Sequence, residues 1–145
     1  MSDAKCKMRD EPGVVVPVTE EWHVAKAQRA AKALARSVGL SQVAVYSITT
    51  SVSELANNLF FHARDGGTIT LRAVRQNGSV GVEIVAKDDG PGIVDIDFAM
   101  RDGFTTKGGL GGGLPGVERL MDEFEITSQV GAGTRVVARK WERCS

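Results

Sequence analysis

The sequence predicts an α+β fold, a two-layer sandwich in which helices cover one face of a mixed β-sheet. Two long segments with helical apolar spacing stand side by side in the first half of the chain. One pair of alternating segments flanks Gln76-Asn77-Gly78, and a second pair flanks Gly131-Ala132-Gly133. Helices grouped apart from strand pairs, rather than alternating with them one for one, are the pattern of α+β architecture. At 145 residues the chain fits a single domain, read as 13–145 behind a polar tail over 1–12.

The elements follow in order. GVVVPV reads as a short strand whose Pro17 suits an edge. Thr19 offers an N-cap, with Glu20 and Glu21 in the first turn, for an alanine-rich helix from Glu20 to Val38 that Gly39 ends. Ser41 caps a second helix reaching to about Ala63, with Ile48, Val52, Leu55 and Leu59 on its core face. TITLRAV and SVGVEIVAKD form a hairpin about Asn77-Gly78, and Val80, Val82, Ile84 and Ala86 share one side of the second strand. A short helix is expected over 93–100, then a glycine-heavy loop over 101–113. Pro115 fits the first turn of a helix PGVERLMDEF, and EITSQ and TRVVARKW close the sheet.

Charge and cysteine content exclude several classes. Eighteen basic residues balance eighteen acidic ones, so no overall positive field exists to hold nucleic acid. The apolar runs are too short for a membrane span, and the charged N-terminus lacks a signal-peptide core, which predicts a cytoplasmic protein. Cys6 and Cys144 lie near opposite ends without metal-site spacing and are expected to be free thiols. His23 and His62 lie on expected helices far from any cysteine pair, which disfavours zinc.

Three segments carry chemistry. Glu54 and Asn58 are four residues apart, so they stack on one side of the second helix, roughly opposite the apolar row. A carboxylate there can take a proton from a nucleophile, and an amide oxygen is a hard ligand suited to Mg2+; a polar pair on a solvent face has the same spacing. Asp88 ends an expected strand, with Gly90 and Gly92 around Pro91. That turn can approach a flat ring while Asp88 accepts a hydrogen bond from an exocyclic amine, or it is a plain surface turn. Asp89 leaves two registers, of which D-x-G-x-G favours Asp88.

From Gly108 to Gly116 six of nine residues are glycine. Such a stretch can wrap N–H groups around phosphate oxygens ahead of a helix N-terminus, with Thr105, Thr106 and Lys107 beside the γ-phosphate. Two familiar phosphate patterns fail. The GxGxxG match at Gly111, Gly113 and Gly116 follows no strand, and the chain contains no Gly-Lys pair for a P-loop. Gly131, Gly133 and Thr134 form either an ordinary hairpin turn or one whose hydroxyl backs Asp88 around a purine.

Taken in order, E-x-x-x-N, D-x-G-x-G, the glycine lid and GxGT resemble the GHKL superfamily, the Bergerat-fold ATPases that include gyrase, MutL and histidine kinases. ITTSVSELANN, DDGPGI and DGFTTKGGLGGGLPGVERLMDEFEI look like the RsbT type of serine/threonine switch kinase, and the similarity runs from about Thr19 to Trp141. The resemblance implies Glu54 as general base, Asn58 as Mg2+ ligand and Asp88 as adenine anchor. It also implies Gly90, Gly92, Gly109, Gly111 and Gly113 as nucleotide-shaping glycines, with Ile93, Leu110, Gly112, Leu114 and Thr134 completing the ATP site. The implied function is transfer of the ATP γ-phosphate to a STAS-domain antagonist of the RsbS kind within a stressosome, followed by activation of an RsbU-like PP2C-type phosphatase. The alternative is an anti-sigma factor kinase of the SpoIIAB or RsbW type gripping a sigma factor. A nucleotide-gated binding module without transferase activity is disfavoured by intact Glu54 and Asn58. Neither nucleic acid nor membrane is an expected partner.

Overall fold

The computed structural model describes residues 13–62, 66–88, 113–129 and 133–144. The glycine turn after Asp88, the short helix expected over 93–100 and most of the glycine loop lie outside those residues, as does the tail over 1–12.

Strand β1 (Val14–Val18) leads into helices α1 (Trp22–Val38) and α2 (Gln42–His62), then the hairpin β2 (Gly67–Gln76) and β3 (Ser79–Asp88). Helix α3 (Gly113–Leu120) precedes β4 (Glu123–Gln129) and β5 (Gly133–Arg143). The sheet runs β1-β2-β3-β5-β4. Every ladder among these five strands is antiparallel, where a mixed sheet was expected. The reason is topological. Two consecutive helices return the chain antiparallel to β1, and β5 inserts between β3 and β4, the two strands joined by a crossover.

Local sequence accounts for most boundaries. Ala27, Ala31, Ala35 and Val38 are the buried residues of α1, small enough for the helix to lie close to its neighbours. Gly39 closes the helix in the left-handed region at φ 88°. The expected Thr19 cap does not form, and the helix starts at Trp22. His23 Nδ1 instead accepts from the N–H groups of Thr19 and Glu20, each at 3.1 Å, because helical side chains lean toward the N-terminus. Ser41 does cap α2, its Oγ accepting from Ala44 N–H at 3.1 Å. Glu142, from the far end of the chain, accepts from Ser41 N–H at 2.9 Å and from the Ser41 hydroxyl.

Asn77 and Gly78, at φ 48° and 82°, turn the β2–β3 hairpin with Gln76 opposite Ser79. Val80, Val82, Ile84 and Ala86 all face the core with Ile48, Leu55, Ile69 and Leu71. Helix α3 stops at Leu120, short of the expected Phe124, because Asp122 N–H already donates to Arg139 O at 2.9 Å as β4 begins.

On the face away from the helices, Arg72, Glu83, Arg139 and Glu123 stand in one row across four strands. Glu83, 7% exposed, accepts from Arg72 at 3.0 Å and from Arg139 at 2.8 Å, and Arg139 reaches Glu123 at 2.8 Å. Burial opposes the Arg139 charge, but hydrogen bonds to Glu123 and Glu83 outweigh it and hold its pKa above the ordinary value. At the chain end, Cys144 is half-buried, donates its N–H to Gly78 O at 2.8 Å and is disulfide-bonded, contrary to the expected free thiol. The sheet continues past Trp141 beside the hairpin turn, so this end is not frayed. The only other cysteine, Cys6, lies outside the described residues.

Candidate functional site

The ends of β3, β4 and β5 build a cleft of about 410 Å³ lined by Lys87, Asp88, Thr127, Ser128, Gly133, Thr134 and Arg135. Register creates it. Asp88 stands opposite Thr134, and Thr134 stands opposite Ser128 on the other side. Ser128 Oγ and Thr134 Oγ1 are 2.9 Å apart, and Ser128 Oγ also donates to Gly133 O at 3.4 Å. A carboxylate flanked by a hydroxyl pair at a sheet edge offers acceptors and a donor on one wall, the equipment for reading an amine-bearing heterocycle.

Two residues named from separate motifs, Asp88 and Thr134, therefore meet across one ladder. Ser128, Thr127, Lys87 and Arg135 had not been singled out. The available signal was the spacing of EITSQ and TRVVARKW about their turn, which puts Ser128 beside Thr134 once the strands pair.

Helix α2 brings the second group of residues. Glu54 is only 1% exposed and its pair member Asn58 is not fully exposed either, so the pair is not a solvent-facing stripe. It adjoins the apolar row instead of opposing it, and α3 packs against the same helix. Asn58 is partly buried. Glu54 and Asn58 do not line the cleft of Asp88 and Thr134. Their helix nevertheless ends beside it. A Cβ built on Gly67 would lie 2.8 Å from Leu59 Cδ2 and 2.2 Å from Lys87 O, so Leu59, the residue after Asn58, packs where β3 delivers Asp88.

Helix α3 opens at Gly113, whose φ of 71° suits glycine, and Pro115 follows in the first turn. Leu114 is 2% exposed and belongs to the core, so it can offer a ligand only its backbone N–H. Gly90, Gly92, Ile93, Thr105, Thr106, Lys107, Gly109, Leu110, Gly111 and Gly112 lie outside the described residues.

Among the described residues no cluster of three or more His, Cys, Asp or Glu side chains forms a metal cage. Mg2+ keeps several waters and binds through one or two protein oxygens plus phosphates, a demand one amide such as Asn58 can meet. No helix among the described residues is long and apolar enough to cross a membrane.

Comparison with known proteins bears on the family and the fold. Residues 16–140 match the family described as histidine kinase-like ATPase domain. The chain is 45% identical over 128 residues to the serine/threonine-protein kinase RsbT of Bacillus subtilis, covering 88% of this chain and 96% of that one. It is 35% identical over 102 residues to the anti-sigma F factor of Caldanaerobacter subterraneus subsp. tengcongensis, covering 67% and 70% of the two chains. The crystal structure of the RsbU and RsbW domains of a Mycobacterium tuberculosis protein superposes with a TM-score of 0.61 at 17% identity. That match covers 93% of this chain and a third of the other, 33%, and shows the shared fold.

Proposed function

The chain belongs to the histidine kinase-like ATPase domain family and within it to the RsbT type, and from that premise we propose a partner-switching protein serine/threonine kinase. Its substrate is a STAS-domain antagonist protein of the RsbS kind, held in a stressosome in the cytoplasm. Phosphorylation releases the kinase to activate an RsbU-like PP2C-type phosphatase. The observation that carries the reading is the burial of Glu54, at 1% exposure, one helical turn from Asn58 on a helix that ends beside Asp88.

Each residue then has a task. Asp88 accepts the adenine amine, and Thr134, braced by Ser128 at 2.9 Å, fixes the ring from the neighbouring strand. The first N–H groups of α3 hold phosphate oxygens at the positive end of the helix, aided by Lys107 and the glycines before Gly113. Bound Mg-ATP supplies the transferable phosphoryl group and a cation that offsets its charge, with Asn58 as the protein's ligand to the metal. Glu54 takes the proton of the substrate serine or threonine hydroxyl. The hydroxyl oxygen bonds to the γ-phosphorus as the bond to the β–γ bridging oxygen breaks, and ADP leaves. The low exposure of Glu54 keeps water from competing for the same base.

The second reading is an anti-sigma kinase, supported by the 35% identity to an anti-sigma F factor. Binding separates the two. With ADP present, the immobilised protein should retain a STAS-domain antagonist encoded beside its gene and should not retain sigma factors. Retention of a sigma factor without the antagonist would reverse the order.

A further inference from the structure

Helix α2 carries two parallel stripes. Ala44, Ile48, Val52, Leu55 and Leu59 form the apolar one. Beside it run Ser47, Ser51, Glu54 and Asn58, spaced by four, three and four residues and so stacked on successive turns. Ser47 is 4% exposed, Ser51 0% and Glu54 1%. Buried hydroxyls are costly unless bonded, and Thr49 on the same helix meets that need within the helix. Its Oγ1 donates to Val45 O at 2.5 Å. Ser51 does not. Its Oγ is fully buried with no hydrogen-bond partner, so its proton is uncommitted.

Glu54 stands one turn further along. Long side chains on a helix lean back over the preceding turn, which draws the Glu54 stem across Ser51. Cβ atoms three residues apart are about 5–6 Å from each other, within reach of a hydroxyl and an extended carboxylate. A serine hydroxyl has one proton to give, and a bond from it to a carboxylate is charge-assisted.

We propose that Ser51 is a positioning residue for Glu54, its hydroxyl donating to the carboxylate and holding it in line for the substrate proton during turnover. The assignment rests on the reading of Glu54 as the base. The test measures kcat, KM for ATP and melting temperature for Ser51→Ala and Ser51→Cys beside Glu54→Gln, with the phosphorylated partner protein as readout. Ser51→Ala should lower kcat about tenfold, the effect of one charge-assisted bond expressed in the transition state, and leave KM for ATP within about twofold. Its melting temperature should hold or rise, because alanine favours the helix and removes a buried hydroxyl that lacks a partner. Ser51→Cys, nearly isosteric but a weak donor, should fall with it.

A wild-type kcat in either Ser51 variant overturns the proposal. So does a variant that melts early and loses turnover and ATP binding together, which marks a packing role. Glu54→Gln as active as wild type removes the base itself. A silent Glu54→Gln with a fast Ser51→Ala overturns Ser51 alone.

Discussion

Gly67→Ala tests whether the end of α2 and the end of β3 form one site. A Cβ at Gly67 would lie 2.2 Å from Lys87 O, about 1.2 Å inside the 3.4 Å of ordinary contact, and 2.8 Å from Leu59 Cδ2. Neither neighbour yields cheaply. Lys87 O is backbone in a strand paired on both sides, and Leu59 is 5% exposed in the core. Overpacking of this kind costs about 1–3 kcal/mol, which for a domain of this size lowers the melting temperature by roughly 3–10 °C. The displaced groups adjoin Asp88 and Asn58, so ATP affinity should fall about tenfold as well. Gly78→Ala is the control. Nothing lies within 4 Å of its Cβ, and its only penalty is the left-handed φ of 82°, about 1–2 kcal/mol. Calorimetry and titration with a fluorescent ATP analogue on both variants separate stability from binding. If Gly67→Ala binds ATP as tightly as Gly78→Ala does, the two element ends do not share a nucleotide site.

Asp88→Asn should weaken ATP binding by about 1–3 kcal/mol, since an amide can present a donor to the ring amine; unchanged affinity in the folded variant removes the adenine assignment. Glu54→Ala should keep Mg-ATP affinity and lose transfer by roughly two orders of magnitude, whereas Asn58→Ala should lose the Mg2+-dependent part of binding too. Two variants that bind and transfer like wild type would reduce this pair to structural residues. Glu83→Gln should lower stability by about 1–2 kcal/mol, discounted for the 51% and 35% exposure of its Arg72 and Arg139 partners, with ATP affinity intact because the row crosses the sheet well back from the strand ends that carry Asp88 and Thr134. A loss of affinity would mean that the outer ladder communicates with the cleft. Mg-ATP should slow amide exchange across residues 102–116, including the first turn of α3, and equal exchange in both states would separate this segment from the nucleotide.

The fold was legible where sequence period and turn chemistry agreed. Asn77-Gly78 set the hairpin register, Gly39 ended α1, and the alternation from Val80 to Ala86 named the core face of β3. Helix ends were less legible, because the groups that satisfy them come from elsewhere in space. His23 caps the entry to α1 in place of Thr19, and Glu142 reaches Ser41 from a hundred residues away. Asp88 and Thr134 were each named from a separate motif, with an ordinary hairpin turn left open for the second, and only strand pairing brought them together and made Ser128 visible. The burial of Glu54 was misjudged for a related reason. A helical wheel gives an angle, not what packs there, and α3 and the sheet together enclose a side of α2 that angle alone left open. The row Arg72–Glu83–Arg139–Glu123 likewise exists only in the register of four strands.

The most direct test of the kinase reading is phosphoryl transfer itself. The purified protein is incubated with γ-labelled ATP, Mg2+ and the STAS-domain proteins encoded beside its gene, and the labelled residue is identified. The account predicts label on a serine or threonine of one STAS protein, abolished by Glu54→Ala. ATP binding without label on any STAS protein, while a sigma factor is captured, would contradict it.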